Sequence, residues 1–140
     1  MEKPNTPQWN HLSKGDLRDL IACVKNGDQS AIDKSIDFIV ADSLGMWHNR
    51  ARAKLCRYFK NEAPNKEQQR RLVDKIKSRL LNGDFHEQFK DQLGMATNFD
   101  PRELQQAAEI AIKNEKRYIR KYAKWVLNRI ENSTSSKIAR

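Results

Sequence analysis

The chain is expected to be all-α, a short stack of helical hairpins in which each unit leans on the next. Three observations predict this. A small pattern returns four times, each copy 34 residues after the last. Its fullest copy is Ile119, Arg120, Ala123 and Leu127; the others are Phe85, His86, Phe89 and Leu93, then Ala51, Arg52, Leu55 and Phe59, then Leu17, Arg18 and Ile21, with Lys25 where the last apolar position fails. A fixed period in the thirties marks stacked helical repeats. Between the copies, apolar residues recur every three or four positions, as on an amphipathic helix. Finally, long β-branched runs are lacking, and no stretch alternates polar and apolar residues well enough to make a strand. Apolar residues at i, i+4 and i+8 occur on any amphipathic helix. The constant offset is what argues for a repeat.

Seven helices follow in order. Ser13, with Asp16 three residues on, forms a capping box that starts the first; Leu17, Leu20, Ile21 and Val24 make its apolar face, and Asn26-Gly27 ends it. Asp28 starts the second, which carries Ile32, Ile36, Ile39 and Val40 and stops near Gly45. The third runs from about Met46 to Lys60, with Trp47, Ala51, Leu55, Tyr58 and Phe59 on one side. A loop over Glu62–Asn65, with Pro64, leads to the fourth, which buries Leu72, Val73, Ile76 and Leu80 and ends at Asn82-Gly83. Asp84, with Glu87 after it, caps the fifth, whose stripe is Phe85, Phe89, Leu93 and Ala96. Asp100-Pro101-Arg102-Glu103 is the clearest start in the chain, an N-cap carboxylate followed by a proline at the first helical position. The sixth helix holds Leu104, Ala107, Ala108, Ala111 and Ile112. The seventh spans about Glu115 to Glu131 and holds Ile119, Tyr122, Ala123, Val126, Leu127 and Ile130. The expected organisation is a flexible leader over 1–12, one repeat domain over 13–131, and a disordered basic Ser/Thr-rich tail over 132–140.

Composition bounds the rest. The chain has 140 residues, of which 38% are hydrophobic and 32% charged, a length that fits one domain. No apolar run approaches the roughly 18 residues needed to cross a bilayer. The polar start does not read as a secretory signal, and Cys23 and Cys56 lack partners at metal-ligand spacing, so a reducing cytoplasm is expected, with both thiols buried.

The last hairpin, residues 101–131, resembles a HEAT repeat. In that family the second helix often reads Val-Arg, two residues, Ala, three residues, Leu, and Ile119-Arg120, Ala123 and Leu127 match it. Ala51-Arg52 with Leu55 departs at the small position, and Phe85-His86 with Phe89 replaces both Arg and Ala. The resemblance implies a short right-handed α-α superhelix: three hairpins plus an N-terminal helix. It also implies that Arg52 and Arg120 are scaffold rather than site.

The net charge of +9 is unevenly spread. Residues 1–45 carry 5 basic and 7 acidic groups, 46–82 carry 11 and 3, 83–112 carry 2 and 6, and 113–140 carry 9 and 2. Basic and acidic blocks therefore alternate, so neighbouring units can bridge charges, while the basic excess is left for a partner. On the third helix Arg50, Lys54 and Arg57 recur at i, i+4 and i+7; on the seventh, Arg117, Arg120, Lys121 and Lys124 share one polar face. Arg117 lies in a first turn, where the helix dipole disfavours a cation, so helix stability alone would not select it. Trp125 and Tyr118 flank that helix's apolar arc, whereas Trp47 and Tyr58 are expected to be buried.

Nothing in the sequence points to catalysis. It has no phosphate-binding glycine loop, no Gly-x-Ser-x-Gly and no His-Glu-x-x-His, and His11, His48 and His86 lack ligand spacing. No cofactor or metal is implied. The expectation is a non-catalytic binding or scaffold module that presents a groove lined by the third, fifth and seventh helices to an acidic protein partner. The alternative is a nucleic-acid binder that grips phosphates. In either case the candidate contacts are Arg50, Lys54, Arg57, Arg117, Lys121, Lys124 and Trp125.

Overall fold

The computed structural model describes residues 11–43, 45–85 and 88–138, with side chains as far as residue 132. The expected leader therefore lies outside the described residues except for His11 and Leu12. Among the described residues the secondary structure is helical throughout. The elements are α1 (Lys14–Lys25), α2 (Gln29–Val40), α3 (Met46–Asn61), α4 (Lys66–Asn82), α5 (Phe89–Phe99), α6 (Pro101–Ala111) and α7 (Arg117–Ile138).

The caps follow the local chemistry. The Ser13 hydroxyl accepts from the Asp16 N–H at 3.1 Å, and the Asp16 carboxylate accepts from the Ser13 N–H at 2.9 Å. Asn65 and Gln68 form a second such box on α4. Asp28 caps α2, and Asp100 caps α6 with Pro101 at its first position. Three boundaries differ from expectation. Asp84 does not cap α5: that helix begins at Phe89 after Gln88, which sits in the left-handed region at φ 72°. The Phe85 ring stacks on Phe89, with centroids 4.4 Å apart. Helix α2 ends at Val40, five residues short of Gly45. Helix α7 runs past Glu131 to Ile138, into the segment expected to be a tail.

Odd and even helices form two rows. Helix α1 packs on α3, α3 on α5 and α5 on α7; α2 packs on α4 and α4 on α6; chain neighbours such as α1–α2, α4–α5 and α6–α7 join the rows. Offsets of 33 to 35 residues, close to the 34 seen in the sequence, reappear as contacts of α4 with α2 and the loop after it. The Gln68 amide donates to Asp33 at 2.8 Å, Arg71 pairs with Asp37 at 2.9 Å, and Lys75 pairs with Asp42 at 3.1 Å. In the odd row Arg57 meets Asp91, 34 residues on, at 2.8 Å. Of the pattern's apolar positions, Leu17, Ala51, Leu55, Phe59, Phe89, Leu93, Ile119 and Ala123 are buried in one continuous core, and Ile21, Phe85 and Leu127 are half-buried against it. No helix among the described residues is long and apolar enough to cross a membrane.

Candidate binding groove

The odd row is not sealed equally along its length. Between α1 and α3 it opens into a groove of about 860 Å³. Leu17, Ile21 and Ala51 contribute to its apolar floor, with Trp47 and Tyr58 towards its two ends. Its cations are Lys14, Arg18 and Lys25 from α1 and Arg50, Lys54 and Arg57 from α3, all exposed. Among the described residues no carboxylate lines it. Two other concave regions among the described residues are of mixed or opposite charge. The one beside α4 and α6 sets Lys66 and Arg70 among Glu67, Asp74, Asp100 and Glu103, and the one beside α1 and α2 is lined by Asp16, Asp19 and Asp28 with Lys34.

Trp47 defines one end of the groove. It is 39% exposed, contrary to the expected burial, with the Lys14 ammonium 4.2 Å from its ring centroid and the Arg50 guanidinium at 5.2 Å. That contact also shows that α1 and α3 start side by side and run parallel. Tyr58, at the other end, is half-buried and meets Phe59 edge to face.

The expected site is therefore split. Arg50, Lys54 and Arg57 line the groove; Arg117, Lys121, Lys124 and Trp125 do not. Those four lie on α7, where the three cations are exposed and Trp125 is half-buried with Arg129 over its ring at 5.3 Å. This groove is lined by α1 and α3. Asp91 of α5 is bonded to Arg57. Sequence reasoning missed Lys14, Arg18 and Lys25. Their signal was present, since they recur along one stripe of α1 as the α3 cations do along α3.

Behind the groove lies a buried polar network. Arg52 is only 4% exposed; it donates to the Ala41 carbonyl at 3.2 Å, to the Ser43 carbonyl, and to the Ser43 hydroxyl at 2.6 Å. Ser43 Oγ lies 2.8 Å from His48 Nδ1, and His48 Nε2 lies 3.1 Å from the Leu12 carbonyl. A carbonyl only accepts, so in the neutral ring Nε2 carries the proton and Nδ1 accepts from the serine. Arg79 closes the network from α4, donating to the carbonyls of Ile39 and Ala41 at 2.8 and 3.0 Å. Burial, followed by the neighbouring charge of Arg79, pushes the Arg52 pKa down to about 10. Burial acts to raise the Asp42 carboxyl, yet hydrogen bonds and charge from Lys75 and Arg79 outweigh it and hold its pKa below the usual value. A serine bonded to an imidazole is the start of a nucleophile, but Ser43 is 1% exposed and already bound to Arg52, so no substrate reaches it. The network is scaffold: it ties the α2–α3 loop and the residue preceding α1 to α3. Arg120 does the same for the last hairpin, donating to the carbonyls of Asn114 and Glu115, both at 2.8 Å.

Of the two thiols, Cys56 is buried and burial pushes its pKa up to about 12, whereas Cys23 is exposed, not buried as expected. Among the described residues no group of three or more His, Cys, Asp or Glu side chains could hold a metal ion. No known protein family, curated protein or solved structure matches the chain.

Proposed function

We propose that the chain is a non-catalytic, cytoplasmic binding module, a short HEAT-like superhelix of hairpins that docks an acidic segment of a protein partner in the α1–α3 groove. One observation carries this reading: among the described residues, six exposed cations and no carboxylate line a groove with an apolar floor. Cations concentrated in a concave surface focus the field and attract an acidic partner. The two-row packing and the 34-residue contacts support the repeat arrangement. A nucleic-acid reading has its own support in the exposed Trp47 beside Lys14 and Arg50, since single strands bind by stacking on aromatics within a cationic track.

Fluorescence anisotropy tests the choice. A labelled Glu/Leu-rich peptide, single-stranded RNA and duplex DNA are titrated with the protein from about 50 to 200 mM salt, where release of condensed counterions weakens phosphate binding steeply. The expected result is peptide binding that persists at the higher salt and is lost with Lys54→Glu. Nucleic-acid binding that is tighter than peptide binding, falls steeply with salt and is lost in the same variant would establish the second reading instead.

A further inference from the structure

The shape of the groove says more about its occupant than its charge does. We propose that the occupant is an acidic amphipathic α-helix of about three turns, with its apolar stripe on the groove floor and carboxylates reaching both rims. This inference rests on the reading of the groove as a docking site for an acidic protein segment.

Three features select a helix. First, the cations form two rims rather than a cluster. Lys14, Arg18 and Lys25 fall within about 40° of one another around α1, and Arg50, Lys54 and Arg57 within about 60° around α3. Along each helix the cations recur at one- or two-turn intervals. A helix lying between the rims repeats its own carboxylates at i, i+4 and i+7 with the same rise, so successive charges stay in register. Second, the floor between the rims is apolar. Trp47 is 39% exposed, Ala22 is exposed, and Ile21 and Tyr58 are half-buried above the buried Leu17 and Ala51, so an occupant that offered only charge would leave this surface uncovered. Third, the aromatic side chains are too far apart for base stacking. Trp47 and Tyr58 are eleven residues apart on α3, about 16 Å at 1.5 Å per residue, and the floor between them is aliphatic. Successive stacked bases need aromatic faces much closer together than that. The same 16 Å suits about eleven residues of helix. Of the rim cations, Arg57 is tied to a carboxylate, Asp91 of α5.

The test is a displayed library of peptides about sixteen residues long, enough for the three turns plus ends, selected on the full chain. The expected outcome is enrichment of proline-free sequences with carboxylates at i, i+4 and i+7 flanking Leu or Phe. The selected peptides gain helical circular dichroism on binding. They lose about tenfold or more in affinity when Arg18→Glu or Lys54→Glu reverses one rim, and less with the milder Lys54→Gln, while the far-UV spectrum of the protein is unchanged. Acidic binders that keep their affinity after a central residue is replaced by proline would overturn the helical occupant and leave the acidic-segment reading standing. Failure to enrich acidic sequences would overturn both. Displacement of the selected peptides by equimolar oligouridine at physiological salt would overturn both in favour of RNA.

Discussion

The first and last seams of the odd row occupy equivalent places in the repeat and are closed in opposite ways. Where α5 meets α7, Phe85 and Phe89 stack, and Tyr118 and Tyr122 meet them edge to face at 4.9–5.6 Å. The seam is filled by aromatic rings. Where α1 meets α3, the positions 68 residues earlier hold Leu17, Ile21, Arg50 and Lys54, and the seam stays open. The 34-residue pattern is shared, so side-chain chemistry at a few positions, aromatic rings at one seam and aliphatic and cationic side chains at the other, decides whether a seam becomes core or groove. Charge then follows: the open seam is rimmed by cations, while the middle seam is crossed by the Arg57–Asp91 pair.

The largest expected effect comes from breaking the filled seam. Phe89 is fully buried, and Phe89→Ala should cost about 3–5 kcal/mol in urea unfolding. A loss below about 1 kcal/mol would mean that the aromatic cluster does not hold α5 to α7. Next is the support behind the open seam. Arg52→Met removes the donor shared by Ala41 and Ser43, and unpaired buried acceptors cost about 1–3 kcal/mol each. Because His48 links this network to Leu12, faster amide exchange in α1 should accompany that loss. Gly83 closes α4 at φ 75°, and a Cβ there would lie 2.8 Å from Tyr118 Oη and 2.9 Å from Ile119 Cδ1. Gly83→Ala should therefore cost about 1–3 kcal/mol, more than the left-handed backbone alone. The smallest effect on stability sharpens the comparison most. Ala22 is exposed and lines the groove, so Ala22→Trp should fill the open seam, change stability by less than about 0.5 kcal/mol, and reduce peptide affinity.

The fold was legible where local chemistry is decisive. Ser13, Asp28 and Asp100 cap as their neighbours dictate, and the 34-residue offset anticipates the Arg57–Asp91 and Arg71–Asp37 pairs. It was not legible where a tertiary contact overrides a local signal. Asp84 reads as a cap, but Phe85 packs against Phe89, Tyr118 and Tyr122, and the helix starts at Phe89. Trp47 was misplaced for a related reason. The buried arc of α3 includes His48 and Arg52, two polar residues whose partners come from the α2–α3 loop and from Leu12, distant contacts that no periodicity shows. Their burial turns the helix so that Trp47 falls at the edge of the arc, over the groove. Half of the site was read from α3. The other half went unread because α1 carries a net charge close to zero: Asp16 and Asp19 offset its cations in the count, yet they lie beside the separate α1–α2 hollow.

The central claim is that the α1–α3 groove, not the α7 face, receives the partner. Backbone amide shifts of the labelled protein, followed while an acidic amphipathic peptide is added, test it most directly. The account predicts shifts confined to Lys14–Lys25 and Trp47–Tyr58, with the Trp47 indole N–H among the largest. Shifts centred on Arg117–Lys124, with the Trp47 signal unmoved, would contradict it.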